Sequence, residues 1–135
     1  MVHSFDGTDG ETPYSTIFQH TNGRLFGGTT SGGTGSGVDC SVGACGVFYS
    51  VNIGAAPFVA FVGQPAGKAG KTVEILGQGF TGTTAVSFNG ISASFEVVSE
   101  TYLTATVPAG ATTGTVQVTT PVGVLLSNVA FRVTP

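Results

Sequence analysis

The sequence predicts an all-β protein: a β-sandwich of about seven short strands, preceded by a small β-rich unit. Two observations carry this reading. Of 135 residues, 22 are Gly and 41% are hydrophobic, while only 8% are charged, the balance of a Gly-rich β protein rather than of a disordered chain. From residue 57 onward, apolar residues also alternate with polar ones at the period of a strand with one buried face. No window carries apolar residues at helical spacing over three turns behind a capping residue, so helix is expected to be close to absent.

The alternation is cleanest in ISASFEVVS, where Ile91, Ala93, Phe95 and Val97 share one phase. It recurs as Val73/Ile75, Val86/Phe88, Leu103/Ala105/Val107, Val116/Val118 and Val129/Phe131/Val133. Turn residues punctuate these runs at Gly77-Gln78-Gly79, Asn89-Gly90, Pro108-Ala109-Gly110 and Pro121-Val122-Gly123. The expected core is Val73, Ile75, Phe80, Val86, Phe88, Phe95, Val97, Leu103, Val107, Val116, Val118 and Phe131. Before this, residues 1–54 hold most of the low-complexity Gly, Ser and Thr around short apolar runs, VHSF, STIFQH, RLFGGTT and VFYSV, with Asn22-Gly23 as a hairpin signal.

One stretch suggests chemistry. Gly70-Lys71-Thr72 ends like a phosphate-binding loop, but Pro65 stands where that loop needs its first Gly. The run TVEILGQGF that follows has strand period, so no helix N-terminus is there to receive an anion. Gln64 to Gly70 is expected to be a solvated turn.

The segment from Gly67 to the end resembles an IPT/TIG domain. The order G-x-x-V-x-I-x-G-x-G-F from Gly70 to Phe80, V-x-F-N-G from Val86 to Gly90, VPAGATTGTVQVTT and the terminal FRVTP carry the likeness. The resemblance spans about residues 57–135 and implies an immunoglobulin-like sandwich over 55–135, used as a spacer or binding module. Residues 1–54, with HSFDGTDGETPYS, NGRLFGGTTSGG and GVFYSV, resemble a single unit of the GloVer tandem repeat of bacterial exported proteins. A repeat unit buries its apolar face against neighbours, and this one has few large apolar residues of its own.

The basic residues are Arg24, Lys68, Lys71 and Arg132 against seven acidic ones, too few to neutralise a nucleic-acid backbone, so nucleic acid is not an expected partner. No apolar stretch reaches membrane-spanning length. Cys40 and Cys45 are expected to form a local disulfide, ahead of a pair of free thiols and of a zinc site, which would need two further ligands. Asp6, Asp9 and Glu11 form an oxygen-rich loop that is a weak calcium candidate, with an Asp-Gly turn the favoured reading. Neither His3 nor His20 completes a nucleophile pattern, and Glu74, Glu96 and Glu100 sit at outward strand positions, so no enzyme and no cofactor are expected. The sequence-level function is a non-enzymatic structural or adhesive module of a bacterial exported or cell-surface protein, self-associating through β-edges or packing on neighbouring repeat units. The alternative is a carbohydrate- or ligand-binding accessory module of an exported enzyme, with a glycan as partner.

Overall fold

The computed structural model describes residues 2–34 and 45–135. Contacts gather the chain into two compact units, Met1–Ala55 and Ala56–Pro135, and every regular element among the described residues is a strand.

The first unit is a small antiparallel sheet centred on β3 (Leu25–Ser31). β1 (Glu11–Pro13) and β2 (Phe18–Gln19) pair with successive halves of one edge of β3, while β4 (Phe48–Val51) pairs along the other edge. Where β1 and β2 are interrupted, the Ser15 hydroxyl accepts the Gly28 N–H and donates to the Gly28 carbonyl, standing in for the missing strand. The β2–β3 turn falls where Asn22-Gly23 predicts it: Gly23 has φ 86° and its N–H donates to the His20 carbonyl at 2.8 Å. The run VHSF forms no strand; instead Phe5 leaves the backbone path to meet the Tyr49 ring edge-on at 4.9 Å.

The second unit is an immunoglobulin-like sandwich. One sheet has the order β10-β11-β7-β5, from Phe95–Ser99, Tyr102–Thr106, Thr72–Leu76 and Ala60–Phe61. The other has the order β13-β12-β8-β9, from Gly123–Leu126, Val116–Thr120, Ala85–Phe88 and Ile91–Ala93. A parallel pair, β6 (Ala66–Gly67) with β14 (Arg132–Val133), joins the entry and exit of the unit. The β8–β9 hairpin turns on Asn89 and Gly90, φ 45° and 86°, the pair of left-handed residues that a two-residue hairpin of matching twist requires.

Between the sheets lie thirteen buried apolar residues. Ten of the expected core positions are among them: Val73, Ile75, Phe80, Val86, Phe88, Leu103, Val107, Val116, Val118 and Phe131. Phe95 and Val97 depart from the expectation, being half-buried and packed against this cluster, because β10 is the outer strand of its sheet and has a neighbour on one side only. The ISASFEVVS run is also not one strand: it breaks at Ser94, with β9 in one sheet and β10 in the other, although the inward phase continues across the corner. Val129 is 47% exposed because residues 128 and 129 form a bend, held by the Ser127 hydroxyl donating to the Val129 carbonyl. Val59, Ala105, Leu125 and Thr120 complete the interior. Thr120 is the one polar side chain buried among the described residues, and its hydroxyl donates to the Gly123 carbonyl at 2.8 Å, which removes the cost of an unmade bond.

Candidate functional site

The lysine-containing segment is built from strand and turn. After β6 the chain reverses at Lys68 to Lys71, where the Lys71 N–H donates to the Lys68 carbonyl at 3.1 Å and the Gly70 N–H to the Val107 carbonyl at 2.8 Å. These amides are consumed by the protein, and β7 follows directly. A phosphate cradle needs several amides converging on open space, so the geometry is that of a turn.

The acidic loop is likewise organised by its own backbone. One Asp6 carboxylate oxygen accepts from the Thr8 N–H at 2.9 Å and the Thr8 hydroxyl at 2.6 Å, and Asp9 accepts the Asp6 N–H at 3.0 Å. The Thr8 bonds hold the Asp6 carboxyl below the usual aspartate range, because they favour the charged form. The other Asp9 oxygen meets His3 Nε2 at 2.6 Å. Glu11 begins β1, paired with Ser31, and among the described residues no three metal-ligating side chains converge.

Of the remaining candidates, Cys40 lies outside the described residues, so its pairing with Cys45 does too; the Cys45 backbone pairs with Gly32 in an isolated parallel β-bridge. His20 Nδ1 accepts the Asn22 N–H. Glu74 accepts the Tyr102 hydroxyl at 2.9 Å, which pushes the phenol pKa up. Glu96 and Glu100 are exposed and lie on or beside β10. No described helix is long and apolar enough to cross a membrane.

The feature that sequence reasoning missed is an aromatic row on the first unit. Register places Phe18 opposite Phe26, and Phe48 opposite Gly28, two residues along the same face from Phe26. The rings stack in series at 5.6 and 5.7 Å, with interplanar angles of 16° and 25°, and His20 meets Phe26 edge-on. Phe26 stacks with both neighbours, and Phe18 (51% exposed) and Phe48 (70% exposed) end the row. The row offers exposed apolar ring surface to a partner. The three phenylalanines belong to runs in which adjacent residues are also apolar, so periodicity could not choose their face; only the cross-strand register aligns them.

The opposite face carries Tyr49 across Gly27, whose missing side chain makes room for the phenol, with Phe5 and His3 beyond it. Apolar groups thus occupy both faces. Among the described residues of this unit, only Gly10, Gly23 and Gly27 are buried; Phe48, Ile17, Phe18 and Ile53 are all exposed. β4 pairs with β3 and, among the described residues, with nothing beyond it.

A family model described as the IPT/TIG domain matches residues 59–133. No curated protein matches the chain.

Proposed function

The chain belongs to the IPT/TIG domain family, and from that premise we propose that it is a non-enzymatic structural and adhesive module of a bacterial exported or cell-surface protein. IPT/TIG domains are generic immunoglobulin-like modules of surface and exported proteins. In this reading the sandwich is a spacer, and the first unit, a GloVer-like repeat over residues 1–54, joins it to another copy of itself or to a neighbouring repeat, up to a polymer. A Cys40–Cys45 disulfide would suit an exported chain and pin the Gly-rich loop between β3 and β4.

The observation that carries this reading is the state of the first unit. Among its described residues it has a paired sheet with apolar side chains on both faces, an outer strand with one partner, and no large apolar residue buried. Strand pairing alone rarely stabilises so small a sheet in water, and uncovered edges and apolar faces are surfaces that protein partners occupy.

Solution mass tests the proposal. Light scattering across a wide concentration range should show mass rising with concentration, and F26S/F48S should return the chain to monomer while the amide spectrum of the sandwich is unchanged. A wild-type chain that stays monomeric at high concentration with a well-ordered first unit overturns self-association.

A further inference from the structure

Three of the chain's four basic residues, Lys68, Lys71 and Arg132, line one open cavity of about 590 Å³ in the second unit. Lys68 and Lys71 share one turn, and the β6–β14 pair brings the distant Arg132 to them by setting it beside Ala66. No acidic residue borders this cavity. Glu74 lies in an adjoining one, which Lys71 also borders, and its carboxylate is engaged by Tyr102.

The walls are fixed. The Arg132 N–H donates to the Pro65 carbonyl at 2.7 Å and the Thr134 N–H to the Gly67 carbonyl at 3.0 Å. Lys71 is held as well: its Nζ donates to the Ala66 carbonyl at 2.9 Å, and its stem lies where a side chain on residue 67 would stand, at 2.5 Å from the position of a Cβ there. Gly67 therefore keeps the lysine along the cavity wall. Gathering like charges without a counter-charge is unfavourable in the free protein and becomes favourable when an anion enters.

The donors decide the class of anion. The backbone amides of Ala66, Gly70, Lys71, Arg132 and Thr134 are spent on protein carbonyls, so these five add nothing to an amide nest of the kind that typifies compact phosphate sites. The lining also holds three cationic side chains, the uncharged polar Gln64 and Thr134, and the apolar Pro65, Ala66 and Ala130. Cations for carboxylates, uncharged polar groups for hydroxyls and apolar side chains for ring C–H groups match a carboxylated sugar chain.

We propose that this cavity binds an acidic polysaccharide of the uronate type, with the sugar carboxylates on Lys68, Lys71 and Arg132. The site is independent of assembly by the first unit, because all its residues belong to the second. Exposed ion pairs are individually weak, so one short oligomer is held loosely, and affinity comes from several modules engaging one chain.

Titration of the full-length protein with a galacturonate trimer, followed by amide chemical shifts at low salt, tests this. Shifts should move at residues 64–71 and 130–134, the neutral galactose trimer should move none of them, and K68Q/R132Q should weaken binding about tenfold, two exposed pairs' worth. E96Q, remote from the cavity, should leave it unchanged. The proposal is overturned if the neutral trimer binds equally, if the shifts map elsewhere, if K68Q/R132Q binds as wild type, or if inorganic phosphate produces the same shifts at the same concentration.

Discussion

The two units are made of the same material and differ in what it covers. Both are Gly-rich β structure with phenylalanines at strand positions, yet the second buries Phe80, Phe88 and Phe131 at 1% exposure or less, whereas Phe18 and Phe48 stand more than half exposed. A strand ladder satisfies backbone polar groups wherever it forms, but it supplies little net free energy over water. Burial supplies the rest, at about 1.5–3 kcal/mol for each large side chain taken fully out of solvent. The lesson is that hydrogen-bonded completeness and thermodynamic self-sufficiency are separate properties. The sandwich has strand pairing and a buried core; the described residues of the N-terminal sheet have strand pairing alone.

The sharpest way to break this comparison is to delete one ring from each unit. Phe88→Ala should cost about 3–5 kcal/mol of sandwich stability in urea unfolding followed by amide peaks, since Phe88 packs edge-on against Phe131 at 5.1 Å inside the core. Phe48→Ala in dilute, monomeric protein should cost less than about 0.5 kcal/mol. Equal losses would mean that the first unit has an interior after all.

A second contrast uses two glycines with crowded surroundings. A side chain at Gly77 would run into the Phe80 ring, and one at Gly27 into the Tyr49 phenol. Phe80 is fully buried and has nowhere to go, so Gly77→Ala should destabilise by about 1–3 kcal/mol through overpacking. Tyr49 is half-buried and can swing outward, so Gly27→Ala should cost clearly less in the same denaturation experiment.

Ser15→Ala should cost about 1 kcal/mol of first-unit stability, because it removes the hydroxyl that bridges both polar groups of Gly28. Faster hydrogen exchange confined to the neighbourhood of Gly28 would show it.

The smallest effect is electrostatic. Asp6 titrates below its usual range in the folded loop, so the ionised carboxylate stabilises the loop above the unfolded-state pKa, and that contribution is lost as pH falls through the lower folded value. The Thr8 amide shift should therefore report a midpoint under the ordinary aspartate value, and Asp6→Asn should abolish the transition.

How much of this was legible in the sequence depended on whether one residue's phase fixed its surroundings. In β7, β8, β11 and β12 it did, because each has a partner strand on both sides and a sheet behind it. Phe95 and Val97 have the same phase but lie on an outer strand, and alternation does not encode strand order. Val59 and Leu125 went unnoticed because each stands beside other apolar residues, as Phe58-Val59 and Leu125-Leu126, where no polar neighbour marks the inward side. The Ser94 corner was hidden for the opposite reason: the phase ran through it without a break. The aromatic row and the basic cavity both arise from residues far apart in the chain, and only pairing register brings them together.

The parallel contact between β6 and β14 has a mechanical consequence. The entering strand and the leaving strand of the sandwich lie side by side and run in the same direction, and Val59 makes a second parallel bridge to Ser127. Tension applied between the two ends of the domain draws these neighbours oppositely along their shared axis. The bonds from Arg132 to Pro65 and from Thr134 to Gly67 are then strained together in shear rather than opened one at a time. In a spacer held under pull, that clasp sets the force at which the domain begins to extend.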